Sequence, residues 1–542
     1  MSIQLFRSSQ SISTFSRRWG TTSAAAVWLC WFAAVVNARQ VNVVIQPPVD
    51  SHARAFIEVI GEPVRIWSFP NSYAGVSELG IRIERLAAFD AAGAEISVRQ
   101  IAPGQFEAAR SAARFRYEVN LDPPAQPSDA ARVSWLTYAR GLLMLADLLP
   151  TNQSEKGKAA DGEKKGLAAE GAIVRFTVPN SWGVYSNETQ NAAGDLAVSA
   201  RNELQKDMAF VVADVDRAVF AVGSHLRSSQ VSASGMTLRL VADGEWAFAD
   251  RDALEMAANV LKEHHDVFGA MPSKQGTLIL LPFPQTAAAS ASKWSAETRG
   301  SSVTLLLGKL PSKVAALAQL SVPLAHEILH FWVPNGLALS GDYDWFYEGF
   351  TVYQAARIGV RLDLLTFQEF LNAIGGAYDG YSLSLDRDRW SLVEASKRRW
   401  TVGESSVYSK SMLIAFLYDL NLRSLSHGKR SLDDVYRDIF REYRSEAKAG
   451  GEGQGRDGSQ VVLKALGVYS GMQEFGRSFV SSAAAINLAA QLAPFGLRVE
   501  TFGLRTRISV SESLTRKQRD LLHDLGYNDY VRSPGQRKAS SR

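Results

Sequence analysis

His326-Glu327-Ile328-Leu329-His330, followed by Trp345-Phe346-Tyr347-Glu348-Gly349-Phe350-Thr351, decides how this chain is read. On a helix, residues four apart stand one above the other on the same face. Both imidazoles can then reach one metal ion, with Glu327 beside them. A catalytic zinc takes three protein ligands and keeps a fourth position open. Glu348, 18 residues after His330, is the natural third ligand, because that span accommodates a helix end, a loop and the start of a second helix. Glu327 is poorly placed as a ligand and better placed as a general base that takes a proton from water and returns it to a leaving amine. The pattern therefore points to zinc-assisted hydrolysis.

Working outward, the 542 residues are too many for one ordinary domain. With 46% hydrophobic and 21% charged residues and a net charge of +4, the composition is that of a globular chain and not of a nucleic-acid binder. The N-terminus reads as an export signal: Arg7, Arg17 and Arg18 precede an apolar run over 21–36, and Val36-Asn37-Ala38 has small residues where a cleavage site needs them. The run is short for a membrane span, although an uncleaved anchor is the alternative. Removal of 1–38 lowers the net charge to +1 and takes away Cys30, the single cysteine, so the mature chain can form no disulfide. That suits a bacterial periplasm.

From 40 to 245 the pattern is mainly that of strands, such as Val41–Gln46, Phe56–Ile60, Ala113–Val119 and Ile173–Val178, and predicts an antiparallel sandwich. Residues 151–171 read as a charged surface insertion. Near 250 the period changes. Asp250–Val267 has helical spacing, Thr277–Leu281 and Ser302–Leu307 read as buried strands, and Pro311–Leu320 as a helix. Pro323 is expected in the first turn of the helix that carries His326 and His330. Helical spacing dominates 362–496, interrupted by a Gly-rich break at 449–460, and Leu514–Leu525 predicts one more amphipathic helix before a basic tail. His264 and His265, being adjacent, point to different faces of their helix and are expected on a solvated surface.

The run His326-Glu327-x-x-His330, Trp332, and Trp345 through Tyr353 resembles the gluzincin aminopeptidases, most closely the glycyl aminopeptidase family, which is related to aminopeptidase N. Tyr408-Ser409-Lys410-Ser411, opening a helical stretch, resembles that family's Y-x-K-G segment, and Ser431–Val435 follows as it does there. The resemblance covers about 245–440. It implies that His326, His330 and Glu348 bind Zn2+, that Glu327 is base and acid, and that Tyr408 hydrogen-bonds the oxyanion. It also implies that Glu297, in Trp294-Ser295-Ala296-Glu297-Thr298, holds the amino terminus of a peptide substrate. The expected architecture is multidomain α+β: signal peptide 1–38, β-sandwich-like N-terminal domain 39–245, thermolysin-like zinc catalytic domain 246–430, helical domain 431–500, and a C-terminal helix with a basic tail over 501–542.

Three departures bear on function. The spacing from His330 to Glu348 is one residue shorter than is usual in the family. Trp294 and Ser295 stand where the amine-binding segment has glycines. The residues after Leu497 are too few for the PDZ domain with which glycyl aminopeptidases usually end. The expected protein is an exported, periplasmic zinc metallopeptidase with aminopeptidase activity on peptides, without nucleic-acid partners and without stable membrane insertion after signal cleavage. A zinc endopeptidase and a catalytically impaired binding or assembly protein on the same scaffold are the alternatives.

Overall fold

Two long strands, Arg54–Ser68 and Gln105–Asn120, organise the N-terminal half of the computed structural model, which describes residues 39–46, 52–151, 171–191, 204–284, 294–445 and 456–528. The segment expected to direct export, nearly all of the charged insertion and the basic tail lie outside the described residues. The two strands pair antiparallel inside a nine-stranded sheet. A four-stranded sheet built from Trp135–Leu136, Arg140–Met144, Gly183–Ser186 and Val219–Gly223 packs on it. Alternation sets the inner faces: Val41, Val43 and Ile45 are buried while Asn42 and Val44 are half-buried. Tyr117, Phe176 and Phe220 fill the space between the sheets. One pairing departs from the antiparallel expectation: Arg39–Gln46 runs parallel to Ala172–Pro179.

The four-stranded sheet is buried on both faces. Its far side, with Trp135, Leu142, Met144, Val219 and Ala221, packs on Val241, Ile279, Leu281 and Leu306 of a third sheet. That sheet has five strands, in the order Arg227–Ala233, Met236–Ala242, Gln275–Pro282, Ser302–Leu307 and Trp294–Arg299. The three central strands are parallel and the two outer ones antiparallel. The near-continuous apolar runs Leu278–Leu281 and Val303–Leu307 are what burial on both faces requires. The hairpin Arg227–Ala242 belongs to this sheet.

Buried residues from Met236 to Leu525 form one contiguous core. The C-terminal segment begins with a hairpin, Leu497–Phe502 paired with Arg505–Val510, before the expected helix, Arg516–His523. The Gly-rich break is also shorter than expected, because Gly458–Leu466 is a helix.

Pro323 is not in a first turn. One continuous helix, Lys313–Leu329, starts from the Ser312 cap and carries Pro323 in its interior. Proline has no N–H to give to the preceding turn. Burial of Leu320, Leu324, Ala325, Ile328 and Leu329 holds the helix together across that point. His264 is likewise a correction. It is fully buried, packs against Trp332 at 5.7 Å and donates from Nε2 to the Ala325 carbonyl at 2.9 Å. Burial lowers its pKa to about 4, so it is a neutral core residue bracing the helix one residue before His326.

Candidate metal centre and active site

The helix Lys313–Leu329 ends at His330, and its last turn points His326 and His330 into a cleft of about 1060 Å³. Their rings lie 4.5 Å apart. Across from them, a π-helical turn, Trp345–Phe350, carries Glu348 and leads into the helix Thr351–Arg361. Such turns re-aim one side chain out of helical register and recur at functional sites. Gly349 lets this turn approach its neighbour: a Cβ there would lie 2.2 Å from the Ser411 Cβ.

The donor geometry tests the zinc assignment. His326 Nε2 and His330 Nε2 are 3.1 Å apart, and Glu348 Oε2 lies 3.3 and 3.7 Å from them. Three tetrahedral ligands about 2.0–2.2 Å from a zinc ion would stand about 3.3–3.6 Å from one another, so the triangle is of the required size. The other imidazole nitrogens are spoken for. His330 Nδ1 donates to the Val333 carbonyl at 2.8 Å. The Thr351 hydroxyl gives its single proton to the Tyr347 or Glu348 carbonyl (2.7 and 2.5 Å) and so accepts from His326 Nδ1 at 3.4 Å. Both Nε2 atoms then present lone pairs to each other and to a carboxylate, an arrangement that calls for a cation. Without a metal, that cation is a proton. Burial opposes charge on His330, but Glu348 and Glu327 outweigh it and push its pKa up to about 9.

Glu327 also offers an oxygen within reach of the two histidines. Its carboxylate is engaged elsewhere: the Thr298 hydroxyl donates to Oε2 at 2.6 Å. Glu348 Oε2 faces both imidazole Nε2 atoms, while its Oε1 meets Arg399 at 2.9 Å. Burial would raise the Glu348 pKa, yet Arg399 and His330 hold its carboxyl well below the usual range.

Tyr408 sits on another π-helical turn, Ser406–Lys410, and lines the same cleft. Burial and the Glu348 charge push its phenol well above the ordinary value, so it keeps its proton and can donate. Glu297 and Thr298 come from the strand Trp294–Arg299 at the edge of the five-stranded sheet. The N-terminal domain clamps that edge, with Ser295 Oγ donating to the Ser128 carbonyl at 2.6 Å and Arg299 donating to the Arg132 carbonyl at 2.8 Å. Glu297 Oε1 accepts from the Tyr73 hydroxyl at 3.2 Å, and the Arg299 guanidinium lies 4.0 Å from the centre of the Tyr73 ring. Burial, reinforced by Glu327 and Glu348, raises the Glu297 pKa against the pull of Arg299 and Arg132. Trp294 is half exposed on the cleft wall.

All six sequence-derived residues, His326, Glu327, His330, Glu348, Tyr408 and Glu297, thus line one cleft. Sequence reading missed Tyr73 and Arg132, which arrive from the N-terminal domain, and the role of Thr298. It also missed Arg399, which reaches Asp344, Glu348 and Tyr408 together. The only local signal for Arg399 is a basic run ending in Trp400 shortly before Tyr408, and such runs are usually solvated.

No protein-family model matches the sequence, and no curated protein matches it. Solved structures do match in shape. An aminopeptidase N family protein from Idiomarina loihiensis is 18% identical, with a TM-score of 0.67 over 85% of this chain and 79% of that one. An M1 zinc metallopeptidase from Deinococcus radiodurans is 14% identical, with a TM-score of 0.53 over 83% of this chain and 95% of that one. A mutant of the latter enzyme has been solved with a Tyr-Ser-Ala substrate. The present chain shares the fold of these proteins.

Proposed function

We propose that the protein is a zinc metallopeptidase that removes residues from the amino terminus of peptides. The observation that carries this reading is the set of three donor atoms, His326 Nε2, His330 Nε2 and Glu348 Oε2, at zinc-sized separations in a cleft that also holds an uncoordinated carboxylate and a protonated phenol. When bound, zinc would supply a Lewis acid that polarises water and the scissile carbonyl. Glu327, oriented by Thr298, takes the proton of the attacking water and delivers it to the leaving amine. The Tyr408 phenol donates to the oxygen on which negative charge develops. Glu297 meets the substrate ammonium, which favours its ionised form and displaces the Tyr73 hydroxyl or shares the carboxylate with it. The fold neighbours support this reading, as does the peptide bound to one of them.

One observation favours a second reading, an endopeptidase. Arg299 and Arg132 draw on the charge of Glu297, and the exposed indole of Trp294 lines the same cleft. Mass spectrometry of a peptide pool, half of it with acetylated amino termini, separates the two. Stepwise loss of first residues from the free set alone supports the aminopeptidase; internal cuts in both sets support the endopeptidase. Glu327→Gln runs beside it: cleavage by that variant at the wild-type rate would refute the mechanism, and no cleavage by either protein would favour a binding protein.

We also propose export to the periplasm, on the basis of the Arg7, Arg17, Arg18 and 21–36 pattern. Among the described residues no helix is long and apolar enough to cross a membrane. Amino-terminal sequencing of the protein recovered from a periplasmic fraction should begin at Arg39; a chain that stays with the membrane and retains residues 1–38 would indicate an anchor instead.

A further inference from the structure

Arg399 lies on the π-helical turn Arg399–Gly403 and is more than nine-tenths buried. Its guanidinium stacks 4.1 Å from the Trp400 ring centre, and Nη1 is anchored to Asp344 Oδ1 at 3.0 Å. Nη2 serves two acceptors at once, Glu348 Oε1 at 2.9 Å and the Tyr408 hydroxyl oxygen. The two oxygens of Glu348 are therefore divided: Oε2 faces the histidines and Oε1 faces Arg399. A guanidinium can only donate. The Tyr408 oxygen must accept from it, and the phenol proton is left free to point elsewhere.

We propose that Arg399 is a positioning residue for hydrolysis: one guanidinium fixes the metal-binding carboxylate of Glu348 in a one-oxygen mode and turns the phenol proton of Tyr408 into the cleft. This rests on the hydrolase reading above and extends it to how the metal ligand and the oxyanion donor are held in register. The fork matters as much as the charge. A planar guanidinium presents fixed N–H directions to two acceptors, whereas a lysine ammonium is a point charge on a flexible stem. Partners that orient a ligating carboxylate are worth about 10–100-fold in metal affinity or turnover. Arg399 acts through the two residues it bonds, Glu348 and Tyr408.

The test compares Arg399→Gln, Arg399→Lys, Tyr408→Phe and the double variant Arg399→Gln/Tyr408→Phe in the full mature chain. It reads kcat and KM on a peptide that the wild type cleaves, zinc affinity by chelator competition, and thermal unfolding. Arg399→Gln should weaken zinc binding about 10–100-fold and lower kcat by a similar factor at saturating zinc, with KM changed by less than about 3-fold. Arg399→Lys should unfold close to the wild-type temperature yet recover little of the kcat. Tyr408→Phe should lower kcat and leave zinc affinity unchanged. The double variant should lose clearly less kcat than the product of the two single losses, because part of the Arg399 effect runs through Tyr408. Losses in kcat that multiply, wild-type zinc affinity in both Arg399 variants, or a kcat that follows thermal stability alone would overturn the proposal. If Arg399→Gln does not fold, Arg399→Lys carries the same comparison. If the wild type cleaves no peptide, the hydrolase reading fails, and chelator competition still decides whether Arg399 holds Glu348.

Discussion

Two buried charge clusters among the described residues of the helical layer differ in setting: one lines the cleft, and the other joins the helices Thr351–Arg361, Ser411–Leu425 and Leu432–Tyr443. In the first, His326, His330, Glu348, Arg399 and Asp344 line the cleft. In the second, Arg357 pairs with Asp433, Gln354 donates to Asp433 Oδ1 at 2.9 Å, and Asp419 accepts from Tyr353 at 2.6 Å, from Arg423 at 3.0 Å and from the Leu432 N–H at 2.8 Å. In the second cluster each carboxylate faces a cation and further donors. The first does not close by itself: two imidazole nitrogens and a carboxylate oxygen converge, and a proton or a metal ion must sit among them. Burial and charge alone do not mark a functional site. The mark is an imbalance that an ion or a substrate would relieve.

That contrast can be broken by substitution. Glu327→Gln should lower kcat by about 10²–10⁴-fold and leave zinc content and the unfolding temperature near wild type; a stability loss without an activity loss would erase the distinction. Asp433→Ala should do the reverse, destabilising the fold by about 3–5 kcal/mol by stranding the fully buried Arg357 charge, as urea unfolding would read. A fully stable Asp433→Ala protein would mean that the second cluster is no strut. Thr298→Val, which removes the hydroxyl from the base carboxylate, should cost about tenfold in kcat with zinc affinity unchanged. Equal kcat in Thr298→Val and wild type would show that Glu327 needs no such orientation.

The smallest expected effect is a pH dependence. In the metal-free protein His330 has a folded pKa of about 9, above an unfolded value of about 6.5. A group whose pKa is raised on folding contributes its full stability below the unfolded value and loses it as pH rises through the folded one. Metal-free protein should therefore lose stability between about pH 6.5 and 9, and zinc-loaded protein should not show that decline. Parallel curves over this range would count against a proton and a metal sharing the site.

Legibility in the sequence followed the length scale of the interaction. His326 and His330 could be read together because four residues make nearly one helical turn, and Glu348 because an aromatic run marks a buried segment at a suitable distance. Long-range pairings left no such mark. Tyr73 meets Glu297 across more than two hundred residues, and Arg399 looks like any residue of a basic run until Asp344, Glu348 and Tyr408 surround it. Local rules misled where tertiary packing overrode them. Pro323 reads as a helix start but is carried inside a helix by its apolar neighbours. His264 reads as solvated, yet Trp332 and the Ala325 carbonyl enclose it. The hairpin Arg227–Ala242 alternates like any sandwich strand, and only its parallel pairing with Gln275–Pro282 assigns it to the catalytic sheet.

The most direct measurement is anomalous X-ray diffraction at the zinc edge from crystals of the mature protein grown with zinc. The account predicts one strong peak about 2.0–2.2 Å from His326 Nε2, His330 Nε2 and a single oxygen of Glu348, with Glu327 outside that shell. No peak in the cleft, or a peak ligated by Glu327 in place of Glu348, would contradict it.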